Sequence, residues 1–216
     1  MTTICAVSDL HGYLPKKVPE ADILVVAGDI SPINFDRDIT KTLDWFESEF
    51  LEWIYSTPHK YRLFIGGNHD FCIEDNLKYF KGFIDPEDLK FLHDCRVEVE
   101  GIRFYGLPWV PNLKHWAFNA SVQTLQEKFG AIPRDTDVVI SHSPPYGFGD
   151  RCIGEPDHAG TLEGAKMIDV VKPKHYICGH IHEAYGRYRY RDTEVWNVST
   201  MDVVYDPSNA PVIIEL

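Results

Sequence analysis

The sequence predicts an α/β layered fold in a single domain covering residues 1–216, and three observations carry that reading. Short apolar runs rich in β-branched residues recur along the chain, helical stripes lie between them, and no linker, repeat or low-complexity tract interrupts the pattern. The runs occupy residues 4–7, 23–27, 62–65, 97–99, 102–105, 138–140, 176–178 and 212–214. They are too short for helices and lack clean alternation, which predicts strands covered on both faces. Leu43, Phe46, Phe50 and Ile54 form one helical stripe, and Val122, Leu125 and Phe129 a second. A third runs through Leu162, Ala165, Ile168 and Val171, with Thr161 as N-cap and Pro173 as stop. Asp85-Pro86 reads as the cap and first residue of a short helix. Segments 187–191 and 194–198, split by Asp192-Thr193, predict a hairpin and therefore a mixed sheet.

Composition bounds the partners. With 44% apolar and 25% charged residues, the chain is an ordinary globular domain, and no apolar run approaches the roughly 20 residues of a spanning helix. No basic region precedes residues 4–7, and Asp9 and His11 end that run, so it reads as a strand and not an export signal. Five cysteines (Cys5, Cys72, Cys95, Cys152, Cys178) contain no C-x-x-C pair. Reduced thiols and a cytoplasmic location are expected, not a disulfide framework. The net charge of −12 disfavours long nucleic acid, whose backbone needs a basic surface. A phosphate ester stays open, because a local cation can bind an anion whatever the distant surface carries.

The informative pattern lies at the carboxyl ends of the expected strands. Asp9-Leu10-His11-Gly12, Gly28-Asp29, Gly66-Gly67-Asn68-His69-Asp70, Ser141-His142 and Gly179-His180-Ile181-His182 each stand directly after one of them. Ligands of open α/β sheets bind at those ends, so these groups are expected to converge in one crevice. Asp9/His11 and His180/His182 are i, i+2 pairs, whose side chains point the same way on an extended backbone. Taken singly, Gly28-Asp29 could be a turn, Asn68 a left-handed loop residue, and His142 a hydrogen-bonded loop histidine. A metal site explains all five segments together. His59, His93, His115, His158 and His175 have no such context and read as surface or core residues.

In this order the five blocks, spanning residues 9 to 182, resemble the calcineurin-like metallophosphoesterases. Leu107-Pro108-Trp109, Trp116-Ala117-Phe118-Asn119, the stretch 141–151 and the tail motif Tyr205-x-Pro207-x-Asn209-x-Pro211 are similar to the metallophosphoesterase-domain-containing phosphodiesterases. The resemblance implies a four-layer α-β-β-α sandwich of two mixed sheets flanked by helices. It implies that Asp9, His11 and His182 hold one metal, Asn68, His142 and His180 a second, and Asp29 both. His69 then stands unligated beside the phosphate as a catalytic residue. Some vertebrate members have glycine for one Gly-His-x-His histidine and are poor enzymes; both are present here. Asp70 replaces a common glutamate and either orients His69 or caps the loop.

The expected activity is dimetal-dependent hydrolysis of a small nucleotide-type phosphodiester, by a hydroxide bridging the two ions. A phosphomonoesterase or nuclease on the same site, or a catalytically weak scaffold, is the alternative. Mixed nitrogen and oxygen ligands suit Mn²⁺ first, with Fe, Zn or Ni as alternatives. Asn68 and His69 are expected to meet the phosphate. Tyr146, Phe148 and Arg151 follow His142 closely enough to hold the rest of the substrate, or they form an aromatic loop that packs on itself. No membrane partner is expected, and the oligomeric state, a homodimer included, stays open.

Overall fold

The central strands of the protein sort their residues between two apolar layers. A computed structural model describes residues 1–84, 88–154 and 157–216; the expected helix start at Asp85-Pro86 lies outside them. In the first sheet, β1 (Thr3–Val7), β2 (Ile23–Ala27), β3 (Tyr61–Ile65) and β4 (Leu89–Phe91) run parallel. The last strand of the chain, Val212–Glu215, closes its edge antiparallel to β1. Cys5, Val7, Leu24, Val26 and Phe64 face one cluster, while Ile4, Ala6, Ile23, Val25, Leu63 and Ile65 face another. Alternate side chains leave opposite faces of a strand, so continuous apolar runs are what two covered faces require.

The second sheet holds β5 (Cys95–Val99), β6 (Ile102–Leu107), β9 (Val138–Ser141) and β10 (His175–Cys178), the short pair β7 (Val110–Pro111) and β8 (Asn119–Ala120) standing apart. It ends in the hairpin β11 (Gly186–Tyr190) and β12 (Thr193–Asn197), giving the order β11-β12-β10-β9-β6-β5. The hairpin turns one residue earlier than expected, because Tyr190 pairs with Thr193 across Arg191-Asp192. Val138, Ile140 and Ile177 meet the first sheet's inner face, and Val139, Tyr176 and Cys178 point outward. Both sheets are mixed.

Helices cover the two outer faces. The Leu43–Phe46–Phe50–Ile54 stripe lies on α1 (Ile39–Trp45), a π-helical turn (Phe46–Phe50) and α2 (Leu51–Ser56), where Phe46 and Phe50 stack at 4.8 Å above Phe64. Two short helices that the stripes do not announce, α3 (Phe71–Asp75) and α4 (Leu77–Phe80), complete this layer. Opposite, α5 (Val122–Gly130) and α6 (Leu162–Val171) bury Leu125, Phe129, Met167 and Ile168 against the second sheet. Thr161 caps α6 by accepting from the Gly164 N–H at 2.9 Å, and Lys172 ends it in the left-handed conformation before Pro173. The result is the four-layer α-β-β-α sandwich of the calcineurin-like fold.

One end of this sandwich is built for a site. The chain beyond β1 crosses to the other sheet, with Ser8 N–H donating to Val198 O and Thr200 N–H to Ser8 O. His11 N–H donates to Asp29 O, and Gly179 N–H to His142 O. These bonds bring the carboxyl ends of β1, β2, β9, β10 and β12 together, and β3 ends beside β2 with which it pairs in parallel.

Candidate metal centre

Four of the gathered side chains leave strained backbone. Asp9 (φ 52°), His11 (45°), Asp29 (50°) and His180 (70°) all adopt the left-handed region that side-chain-bearing residues rarely enter. Such strain costs about 1–3 kcal/mol per residue and persists where surrounding bonds over-determine it. Here the cross-loop hydrogen bonds do so. Glycine neighbours provide the clearance: a Cβ at Gly67 would meet the Asp29 carboxylate and the His142 ring, and one at Gly179 would meet Asp9.

The ligand atoms fall into two adjoining groups, and His11, Asp29 and His69 form a third that overlaps both. Asp9, His11 and His182 place one ligand atom each within 4.8 Å of one another, and so do Asp29, His142 and His180. Asp29 lies between them, its Oδ2 3.8 Å from His11 Nε2 and 3.3 Å from His142 Nε2. Asn68 Oδ1 stands 3.0 Å from His142 Nε2. Backbone groups aim the ligands. His142 and His182 present Nδ1 to the carbonyls of Ala27 (2.9 Å) and Asp202 (3.0 Å), which turns each Nε2 toward the centre. The His180 N–H donates to both Asp9 oxygens at 3.0 Å, and the His69 N–H donates to Asp29 Oδ1 at 2.8 Å.

Electrostatically the centre is short of cations. Asp9 and Asp29 are 0% and 2% exposed, and among the described residues their only ion-pair partners are histidines. Buried charge of this kind is costly unless compensated. Burial opposes protonation of His142 and His182, but Asp29 and Asp9 respectively outweigh it and push both imidazoles up to about 9. Burial takes His11 down to about 4 and, with the charge of His142, His180 down to about 3. Burial also raises both carboxylates, but His182 holds Asp9, and His142 holds Asp29, below the usual range.

The residues fit a pair of cations. His11 Nε2 and His182 Nε2 approach to 3.3 Å, and buried His11 Nδ1 has no hydrogen-bond partner. Two carboxylates, four imidazoles and one carboxamide form a nitrogen and oxygen donor set of the kind that borderline divalent ions take.

His69 stands beside this set with a partner that sequence reading misses. Its Nδ1 is 2.7 Å from Asp36 Oδ2, and its ring packs against Trp116 (4.4 Å) and edge-on to His11 (4.7 Å). Asp36 is seven residues past Asp29, and Asp38, two further on, does the ordinary work of capping α1. Nothing local distinguishes the two. Asp70 does not orient His69. Its carboxylate accepts from the N–H groups of Ile30, Ser31 and Gly67 and from the Ser31 hydroxyl, so it ties two site loops together.

The aromatic loop divides. Phe148, half-buried, stacks on Tyr190 at 4.6 Å and packs against the outer core, the contact that a self-packing aromatic loop makes. Arg151 is exposed beside His158, and Tyr146 lines a cleft shared with His180. Tyr205, which the sequence presents only as part of the tail motif, lays its ring edge-on to His11 (5.0 Å) and against His182 (4.9 Å). Asp202 braces both: its carbonyl receives His182, and its carboxylate accepts from the Val204 and Asp206 N–H groups.

Comparison with known proteins agrees with this geometry. The family model for calcineurin-like phosphoesterases matches residues 2–184. Metallophosphoesterase domain-containing protein 1 of Homo sapiens, and that of Mus musculus, are each 32% identical over 239 aligned residues, covering 100% of this chain and 71% of theirs. Among solved structures, a dimetal phosphatase from Danio rerio superposes with a TM-score of 0.57 at 16% identity, covering 100% of this chain and 92% of that one. The GAP50 anchor of the Plasmodium inner membrane complex follows with a TM-score of 0.51 at 11% identity, covering 98% and 77%. Likeness at those identities speaks for the fold, and the family model with the relatives that align over the whole of this chain speaks for descent. The chain belongs to the calcineurin-like phosphoesterase family and is a metal-dependent phosphoric ester hydrolase.

Proposed function

We propose that the protein hydrolyses small nucleotide-type phosphodiesters. The observation that carries this reading is the pair of ligand groups joined through Asp29, with His69 held beside them by Asp36. Asp9, His11 and His182 would hold one ion, Asn68, His142 and His180 the other, and Asp29 both. When bound, two divalent cations supply charge to neutralise the phosphoryl oxygens and lower the pKa of a water molecule. Mn²⁺ is our first choice, with Fe, Zn or Ni as alternatives.

The chain's own residues do the rest. Asp36 orients the His69 ring, leaving Nε2 to deliver a proton to the departing alkoxide. Asp70 holds the loops of Asp29 and His69 in register. A diester is favoured over a monoester by charge. No lysine or arginine is among the described residues lining the clefts that share His180, while Glu183 and Glu163 are. A singly charged diester meets less repulsion there than a monoester dianion.

Two further features support the expected setting. The −12 net charge disfavours long nucleic acid, and the five unpaired thiols suit a reducing cytoplasm. Among the described residues no helix is long and apolar enough to cross a membrane.

The test is turnover of bis-p-nitrophenyl phosphate against p-nitrophenyl phosphate, after chelator stripping and reloading with Mn²⁺. Faster diester hydrolysis is expected. Preference for the monoester assigns the site to phosphomonoesters, and inactivity on both leaves a metal-bearing scaffold.

A further inference from the structure

The tail motif Tyr205-x-Pro207-x-Asn209-x-Pro211 folds over one half of the metal centre. Its loop is closed by its own polar groups. The Asp202 carboxylate accepts from the Val204 and Asp206 N–H groups and, at 3.3 Å, from the Ser208 hydroxyl. The Asn209 carboxamide donates to Ser199 O and Met201 O, and the Asn209 N–H to Thr200 O, which ties the end of the loop to its start. The Thr200 N–H in turn donates to the carbonyl of Ser8, the neighbour of Asp9. These bonds hold Tyr205 in the left-handed region, at φ 63°.

Held there, the Tyr205 ring meets His11 at 5.0 Å and His182 at 4.9 Å, steeply inclined to both, and the two imidazoles lie 5.3 Å from each other. His11 and His182 are 7% and 8% exposed, whereas Tyr205 is 42% exposed, so the phenol ring is part of what separates them from solvent. His11 depends on such packing most. A ligating imidazole is ordinarily turned by a hydrogen bond on its other nitrogen, as the carbonyls of Ala27 and Asp202 turn His142 and His182. His11 Nδ1 is buried without any such partner. The rings of His69, His182 and Tyr205 confine it instead. In the other half, His142 and His180 lean on one another at 5.1 Å. Tyr205 and His180 line one cleft but make no ring contact.

We infer that Tyr205 is a positioning residue for one ion of the pair. Its ring confines the His11 and His182 imidazoles, so the tail loop sets the affinity of the Asp9–His11–His182 half and leaves the Asn68–His142–His180 half alone. The inference rests on the two-ion reading of the centre and on no particular ester. It makes the halves unequal in construction: one is built from strand-end loops only, and the other is completed by the tail of the chain.

The test is Mn²⁺ binding to the chelator-stripped protein by calorimetry. Tyr205→Ala should weaken one of two binding events by about 10- to 100-fold, the range for groups that orient metal ligands, and leave the other within about threefold. The unaffected event reports an intact fold. Tyr205→Phe keeps the ring and should match the parent in both events. Two backgrounds assign the weakened ion. In His180→Ala, which keeps the Asp9 half, adding Tyr205→Ala should weaken Mn²⁺ by the same factor. In His182→Ala, which keeps the Asn68 half, it should change nothing. Equal weakening of both ions, weakening of neither, a Tyr205→Phe variant as weak as Tyr205→Ala, or an effect confined to the His182→Ala background would each overturn the inference. A parent that takes up a single ion would instead remove the two-ion reading on which it rests.

Discussion

Asp36 and Asp70 are both buried carboxylates in loops that frame His69, and they serve different partners. Asp36 is 33 residues away in sequence and 2.7 Å from His69 Nδ1. Asp70 is the next residue in the chain and turns away, to the backbone of Ile30, Ser31 and Gly67. At the mouth of a layered fold, chain neighbours diverge because the strand has ended and a helix is starting. The loop after a different strand supplies the partner. The comparison predicts that one carboxylate matters for rate and the other for stability, and substitutions can separate the two.

The largest effect belongs to a third carboxylate, which both halves of the centre share. Asp29→Ala should lose both ions together and reduce turnover to background, as followed by stoichiometric metal analysis. One ion remaining at full occupancy would separate the two halves. Next comes His69→Ala, expected to keep both ions and to lose roughly 10²- to 10⁴-fold in rate, the range for general acid catalysis. Full turnover with metal bound would remove His69 from the reaction, and Asp36 with it.

Protons compete with the ions, and the sign follows from the shifts. His142 and His182, both raised to about 9, add stability to the metal-free chain below pH 6.5 and lose that contribution as pH rises to about 9. His11 and His180, lowered to about 4 and 3, are neutral at pH 7 and cost stability only as pH falls below 6.5. Each half of the centre therefore has one imidazole ready and one to be deprotonated. Metal loading at pH 7 should release about two protons in total, and affinity for each ion should rise up to about tenfold per pH unit until pH 9. Calorimetry in buffers of different ionisation enthalpy measures the release. A pH-independent affinity would mean that His142 and His182 are not ligands.

Legibility in the sequence obeys the same division. Strands such as Ile23–Ala27 are readable because two covered faces force an unbroken apolar run, a local signal. The ligand candidates are readable because each stands directly after such a run. Long-range strand pairing is not: β6 meets β9 through contacts that no local pattern encodes, and the four layers come from resemblance. The helices α3 and α4 span 5 and 4 residues, too few to show a stripe. Asp36 and Tyr205 owe their positions to tertiary approach alone. Phe148 is legible only as a pair of alternatives, because an aromatic residue near a ligand looks the same in sequence whether it faces the crevice or Tyr190.

The remaining two substitutions set Asp36 directly against Asp70. Asp36→Asn keeps the shape but removes the charge facing His69 Nδ1. A general acid losing its orienting partner should slow by about 10- to 100-fold, with little change in unfolding free energy. Asp70 presents the reverse case. Burial and the charge of Asp29 raise its carboxyl to about 6, so the ion itself is held at a cost. Four donors nevertheless point at it, and Asp70→Ala leaves those of Ile30, Ser31 and Gly67 buried without an acceptor. At about 1–3 kcal/mol for each orphaned group, partly relieved by relaxation, the variant should lose about 2–4 kcal/mol in denaturant unfolding. Turnover per folded, metal-loaded molecule should stay close to that of the parent. Were Asp70→Ala to slow turnover while keeping its stability, the carboxylate next to His69 would be acting on the reaction after all, and the assignment of Asp36 as the orienting group would lose its contrast.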